Sequence, residues 1–345
     1  MKLQILVPHY HESADVIKPL LDSIALQQNV DFDEIGVIVC HDGKDIEDFC
    51  FTDCLNLVGG NTLPDCYPFK IEQVSIPHKG VSAARNGALD ASIADYVMFC
   101  DIDDMFYNMC GLWIVFREME TAEFDSLTSI FVEENRIPKD PKDKNCEEKV
   151  PFYINRPLDS TFVHGKIHRR QYLIDKGIRW NDSLTVHEDS YFNILCQNLS
   201  GNVKYCQTPF YLWKWRDDSV CRHDPKYILK TYNNMLDSND ALVEEFLRRE
   251  MKDKAMFFCA SMVFDAYYTM NKLEWINQEN KEYRRNTEQR FAIYFKSRES
   301  LWNDLSLNEK MKISAAVRNR AVQEGMPMES VTIDDWLKKI KDMAQ

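Results

Sequence analysis

Asp101, Asp103 and Asp104 put three carboxylates within four residues, directly after the apolar run Tyr96-Val97-Met98-Phe99-Cys100. Carboxylates this close repel one another, so packing alone does not favour the cluster. A divalent cation would resolve the repulsion, and a set of oxygen ligands suits Mg²⁺ or Mn²⁺. The competing reading is an acidic turn with solvated side chains. A second acidic pair, Glu188-Asp189, opens a predicted helix, where the positive end of the helix dipole stabilises negative charge. Its ordinary role is an acidic helix start. Asp42 ends another apolar run in the turn His41-Asp42-Gly43, and Arg216 and Ser219 follow a late strand.

These side chains need elements to hold them at one edge. Leu3 to Val7 predicts a strand that stops at Pro8. Ala14 to Gln28 has helical spacing, with Ile17, Leu20, Leu21 and Ile24 on one face. Glu34 to Cys40, Phe69 to Ile76 and Tyr96 to Cys100 predict further strands, and Gly80 to Ala91 an Ala-rich helix. A helical or loop region runs from Asp45 to Asn61. This alternation of strand and helix argues for a parallel or mostly parallel sheet covered by helices. Ligands of such sheets bind at the C-terminal ends of the strands. Pro8 to Glu12, Asp42, Lys79 to Asn86, Asp101 to Asp104 and Glu188-Asp189 all fall at that edge.

Further on, Gly111 to Thr121 predicts a helix, and Ser126 to Val132 and Val150 to Asn155 predict strands. Glu133 to Lys149 between them reads as a hairpin tip or mobile loop. Phe162 to His168 is strand-like, His187 to Leu199 helical, and Val203 to Cys206 and Phe210 to Trp215 two more strands. After about Pro225 glycine nearly disappears, and helical patterns cover 226–249, 254–271, 278–298, 307–323 and 333–343. The expected division is a catalytic domain over 1–224 and a helical domain over 225–345. The latter reads as an appendage, a lid or an oligomer surface.

Composition narrows the classes. The chain has 345 residues, 45% of them hydrophobic, which is ample for a packed core. Net charge is −13, divided as −14 over residues 1–225 and +1 over 226–345. The acidic half carries the carboxylate cluster, which disfavours a general polyanion-binding surface there. All eight histidines also precede residue 225, which suggests a polar cleft. Eleven cysteines with no C-x-x-C pair indicate neither a disulfide framework nor a zinc site, and suit a reducing cytoplasm. No signal peptide is expected at the N-terminus. The apolar stretch from Ala255 to Met270 is too short to span a membrane and contains Asp265, so stable membrane insertion is not expected.

Six segments together resemble the family 2 glycosyltransferases of GT-A fold. They are Leu6-Val7-Pro8-His9-Tyr10, Val37-Ile38-Val39-Cys40-His41-Asp42-Gly43, Gly80-Val81-Ser82-Ala83-Ala84-Arg85-Asn86-Gly87, Phe99-Cys100-Asp101-Ile102-Asp103-Asp104, His187-Glu188-Asp189 and Tyr211-Leu212-Trp213-Lys214-Trp215-Arg216-Asp217-Asp218-Ser219. Each is weak alone; their order, over residues 1–223, carries the likeness. It implies an α/β GT-A fold with a mixed, mostly parallel sheet flanked by helices, a UDP-sugar donor, Mn²⁺ or Mg²⁺, and a glycan or glycoconjugate acceptor. Transfer to protein or modified DNA stays open, and the acidic catalytic half weakens nucleic acid as a partner. The C-terminal helices would serve acceptor specificity or homo-oligomer formation.

The resemblance also implies roles. Asp42 would accept the N3–H of uracil, Pro8 and Tyr10 would wall the base pocket, and Arg85 would neighbour base or ribose. Glu12, Lys79 and Ser219 complete the donor-side set. Asp101 and Asp103 would approach ribose and metal, Asp103 first among the ligands, with Asp104 and His223 as further candidates. Arg216 would stabilise the diphosphate leaving group, its alternative being an ion pair with Asp217 or Asp218. Asp189 would act as catalytic base, with Glu188 orienting the acceptor. Trp213 and Trp215 read either as acceptor platforms or as core. Two departures bear on the donor: His41 stands where the pattern has an acidic residue, and His11 where it has Asn. A nucleotidyltransferase reading lacks its Gly-rich loop, since His9-Tyr10-His11-Glu12 has no glycine. A non-catalytic binding or assembly protein would retain the fold without the chemistry.

Overall fold

The computed structural model describes residues 1–43, 67–140, 143–154, 162–216, 227–323 and 332–343. Chain contacts divide it into two compact units, Met1–Ser219 and Val220–Gln345.

The first unit is built on one mixed sheet. β1 (Leu3–His9) and β2 (Ile35–Asp42) are buried along their whole length, as continuous apolar runs require in a sheet covered on both faces. β3 (Lys70–Ile76) pairs with β2 at the edge, and β4 (Tyr96–Phe99) lies on the other side of β1, all parallel. α1 (Ala14–Ala25) buries Ile17, Leu20, Leu21 and Ile24, the face its spacing predicts. α2 (Val81–Ala91) presents Ala83, Ala84 and Ala88 inward, and these small side chains let the helix lie close to the sheet. In register, Pro8 lies beside Cys40 and His9 beside His41, so β1 and β2 deliver their ends to one edge. The Cys100 N–H donates to Leu6 O at 3.0 Å and carries the carboxylate cluster to the same edge.

Beyond β4 the pairing changes sense. β5 (Met105–Phe106) and α3 (Gly111–Thr121) precede β6 (Ser126–Asp140) and β7 (Asp143–Ile154), which form a long antiparallel hairpin. β8 (Lys166–Arg169), α4 (Arg170–Asp175), α5 (Glu188–Leu199) and β9 (Val203–Trp213) follow. The order across the sheet is β3-β2-β1-β4-β8-β6-β9-β5, with β7 outside on β6; β8 is antiparallel to both β4 and β6. Three expectations change. The charged stretch between Glu133 and Lys149 is mostly hairpin arm. The strand expected over Phe162 to His168 begins only at Lys166. The two expected late strands are one, β9, whose pairing with β6 slips between Ser129 and Phe131, where Gln207-Thr208-Pro209 interrupts the apolar pattern. The region expected over Asp45 to Asn61 lies outside the described residues.

The second unit is helical where described. Its longer helices are α7 (Tyr232–Arg248), α8 (Lys252–Met270), α10 (Lys281–Asp304), α11 (Leu307–Gln323) and α12 (Ile333–Asp342), with short α6 (Tyr227–Lys230) and α9 (Leu273–Ile276). Trp275, Phe291, Phe295 and Trp336 fill its core. Among the described residues, no helix is long and apolar enough to cross a membrane.

Candidate active site

The strand ends enclose a cleft of about 460 Å³, lined among others by Pro8, Tyr10, Glu12, Asp42, Asp101, Asp103 and Arg216. The turn after β1 is shaped by its own polar groups. Glu12 Oε2 accepts the Tyr10 and His11 N–H groups at 3.0 and 3.2 Å, and Glu12 O lies 2.9 Å from His9 Nε2. His41 lies behind the cleft rather than in it. It is fully buried, with Nδ1 2.9 Å from His9 Nδ1 and Nε2 2.9 Å from Gln73 Oε1. Asp42 is also buried; it accepts the backbone N–H of Lys79 at 2.7 Å and of Gly80 at 2.8 Å. Lys79 thus meets the site through its backbone, its side chain being exposed.

Arg85, in the second turn of α2, ties the acidic groups together. Nη2 donates to Asp101 Oδ1 at 2.9 Å, and Nη1 donates to Glu188 Oε1 at 2.9 Å and Asp189 Oδ1 at 3.0 Å. The guanidinium lies 4.3 Å from the Trp180 ring centroid, an arrangement that suits its flat, weakly hydrated face. Arg85 is only 4% exposed. Burial alone would weaken its charge, but Asp189, Asp101 and Glu188 outweigh burial and raise its pKa further. For Asp101 burial opposes ionisation, yet Arg85 and then His164 prevail and hold its carboxyl well below the usual range. Asp189 goes the other way. Burial and the adjoining Glu188 push its carboxyl well above the ordinary value, against the pull of Arg85. Both acids sit in the first turn of α5, entered through His187 at φ +63°, a left-handed conformation that turns the chain sharply into the helix.

Asp103 and Asp104 have separate surroundings. Asp103 Oδ2 accepts from Arg216 Nη1 at 3.0 Å, while burial and Asp101 raise its pKa against that contact. Asp104 is 1% exposed and accepts the Tyr211 hydroxyl at 2.5 Å and the Lys214 N–H at 3.0 Å, locking β9 to the end of β4. His164 joins it from the turn before β8, with Nε2 3.7 Å from Asp104 and 3.9 Å from Asp101. Gly165 makes that turn at φ +63°, where a Cβ would fall 2.4 Å from Ser129 Oγ. The His164 ring stacks on Phe162 and Tyr211, and burial lowers its pKa, which keeps the imidazole neutral and able to ligate.

Potential ligand atoms of Asp101, Asp104 and His164 lie within 4.8 Å of one another. Two carboxylates and a neutral imidazole form a donor set that fits a divalent ion such as Mn²⁺. Sequence reasoning named Asp101 and Asp104 but missed His164, whose only signal was the glycine after it. Trp180, the platform for Arg85, was missed as well. Trp213 packs against Phe162 and His164, and Trp215 carries Arg136 over its ring. Ser219 and His223 lie outside the described residues, as do Asp217 and Asp218.

A mixed sheet of this order, flanked by helices and followed by a helical region, with its acidic cluster after the fourth strand, defines the GT-A fold. Residues 4–169 match the family model described as Glycosyl transferase family 2, a match that supports a place in that family. Comparison with curated proteins gives no match. Among solved structures, the chain is similar to S. aureus TarS 1-349 at 15% identity, covering 99% of this chain and 90% of that one, with a TM-score of 0.62. It is similar also to TarS 1-349 in complex with UDP-GlcNAc, at 16% identity over 99% and 91% of the two chains, with a TM-score of 0.61. At such identity the likeness speaks for the fold alone.

Proposed function

We propose that this protein is an inverting, metal-dependent glycosyltransferase that moves a sugar from a UDP-sugar to an acceptor hydroxyl, with Asp189 as general base. The observation that carries this reading is the single guanidinium, Arg85, joining Asp101 at the cleft to Asp189. The family 2 match supports the reaction class, and the uridine donor is taken from the sequence pattern around Asp42, in keeping with a TarS structure of the same fold that holds UDP-GlcNAc.

In the proposed reaction the acceptor oxygen bonds to the anomeric carbon as the bond from that carbon to the diphosphate oxygen breaks. The hydroxyl proton passes to Asp189, whose raised pKa suits a group that must take a proton near neutral pH. UDP leaves with the bonding electrons. One displacement inverts the anomeric centre, so an α-linked donor gives a β-linked product. Arg216 faces the developing diphosphate charge from beside Asp103, and its planar fork suits phosphate oxygens. Asp101, Asp104 and His164 would hold Mn²⁺ or Mg²⁺, which offsets leaving-group charge when bound. Asp103 is the further carboxylate of this set.

The acceptor proposed is a glycan or glycoconjugate, with residues 225–345 giving acceptor specificity or a homo-oligomer contact. A reducing, cytoplasmic setting is proposed from the thiols: Cys40, Cys100, Cys110, Cys196, Cys206 and Cys259 are all free. The testing experiment is a turnover and thermal-shift screen of UDP-, GDP- and dTDP-sugars with and without Mn²⁺. One donor giving metal-dependent stabilisation and release of nucleoside diphosphate supports the reading. A folded protein that answers to no donor contradicts it and favours a binding role.

A further inference from the structure

Asp42 is the residue assigned to read the base, yet a side chain already meets it. His78 Nδ1 donates to Asp42 Oδ2 at 2.8 Å, and that oxygen also accepts the Gly80 N–H. The same imidazole lies almost parallel to the Tyr10 ring, with centroids 4.5 Å apart and planes at 10°. A flat heteroaromatic ring that stacks on Tyr10 and donates a ring N–H to Asp42 makes both contacts expected of uracil. Room for it comes from Gly43, where a Cβ would press on His78 Cβ at 3.3 Å. The two partners differ in freedom. The His78 side chain is 58% exposed and that of Asp42 only 3%, so the ring can swing away while the carboxylate stays. The Lys79 and Gly80 N–H groups would still hold the carboxylate in place.

We propose that His78 occupies the base subsite as an internal competitor, and that a nucleotide binds by displacing it. The inference rests on the reading of the cleft as a uridine-nucleotide site. A base succeeds only if it replaces both contacts: a flat face for Tyr10 and an edge N–H for Asp42. Uracil, with N3–H, does so. Cytosine, whose N3 is an acceptor, would leave Asp42 Oδ2 facing a lone pair. His78 therefore sets a threshold that a phosphate group alone never meets, because binding at the Arg216 end of the cleft leaves the imidazole undisturbed.

The test is calorimetry of UDP and of pyrophosphate, each with Mn²⁺, on wild type, His78→Ala and His78→Phe. The proposal expects His78→Ala to bind UDP roughly five-fold more tightly, about the worth of one exposed hydrogen bond to a carboxylate, with pyrophosphate affinity unchanged. His78→Phe keeps the stacked ring without the N–H and is expected to gain less. UDP affinity that is unchanged or weakened in His78→Ala, with pyrophosphate still bound normally, overturns the competitor role and leaves the donor site standing. No UDP binding by folded wild type in Mn²⁺ overturns the donor-site reading itself, and this inference with it.

Discussion

Arg85 donates to Asp189 at 3.0 Å, so the proposed base sits at the end of a buried cation rather than in open solvent. The same guanidinium reaches Asp101 at 2.9 Å, which makes the position of the base depend on the carboxylate cluster after β4.

Removing that cation should do more than cut one bond. Arg85→Ala would leave Asp101, Glu188 and Asp189 confronting one another in a buried site. Loss of about 3–5 kcal/mol in urea unfolding is expected, since breaking a buried pair strands its charges. Arg85→Lys should fall between, because a point charge cannot serve both sides as the planar fork does. A wild-type midpoint for Arg85→Ala would contradict this account.

Asp189→Asn should abolish transfer yet raise stability at neutral pH. Its folded pKa is raised, so the stability this group contributes is present below the unfolded carboxylate value and is lost as pH rises through the folded one. The neutral amide escapes that loss. Thermal melts across pH 4 to 8 check it: the gain of the variant over wild type should grow as pH rises from the unfolded carboxylate value towards the raised folded one, and level off above it. The same raised value predicts that the acid limb of the wild-type rate profile lies above the ~4 of an ordinary carboxylate.

Tyr211→Phe leaves the buried Asp104 without its shortest hydrogen bond. The expected cost is about 1–3 kcal/mol by chemical unfolding, the penalty of an under-satisfied buried acceptor. Since Tyr211 also packs on His164, Mn²⁺ affinity measured by calorimetry should fall with it.

Arg216→Ala should spare the fold, because the side chain is partly exposed and bonds Asp103 at the cleft wall. Its effect is expected on kcat, a fall of about 10²–10³-fold, the usual worth of one donor aimed at developing charge. An equal change in KM with kcat unaltered would place Arg216 in ground-state binding instead.

Much of this was legible because local pattern and topology coincide. Continuous apolar runs such as Leu3 to Val7 and Val37 to Cys40, short and alternating with helical patterns, read as buried strands of a covered sheet, and the polar residues that stop them mark its edge. What stayed hidden depends on contacts distant in sequence. Asp103 and Asp104 are identical side chains on adjacent residues; Tyr211, 107 positions from Asp104, and the Lys214 N–H make one an anchor while the other faces Arg216. His164 looks like a strand residue until Gly165 turns the chain at φ +63°. Glu133 to Lys149 reads as a hairpin tip or mobile loop between two strands, and not as the long arms of β6 and β7, because a charged, Pro-bearing stretch carries little apolar alternation. Arg85 was expected beside base or ribose, and no local pattern shows that three carboxylates converge on it.

The most direct test combines Mn²⁺-dependent UDP release with UDP calorimetry on wild type and Asp189→Asn. The account predicts turnover of one UDP-sugar by wild type that EDTA removes, and a folded Asp189→Asn that binds UDP normally but transfers nothing. Wild-type turnover by Asp189→Asn, or loss of its UDP affinity, would contradict the assignment of Asp189 as the base.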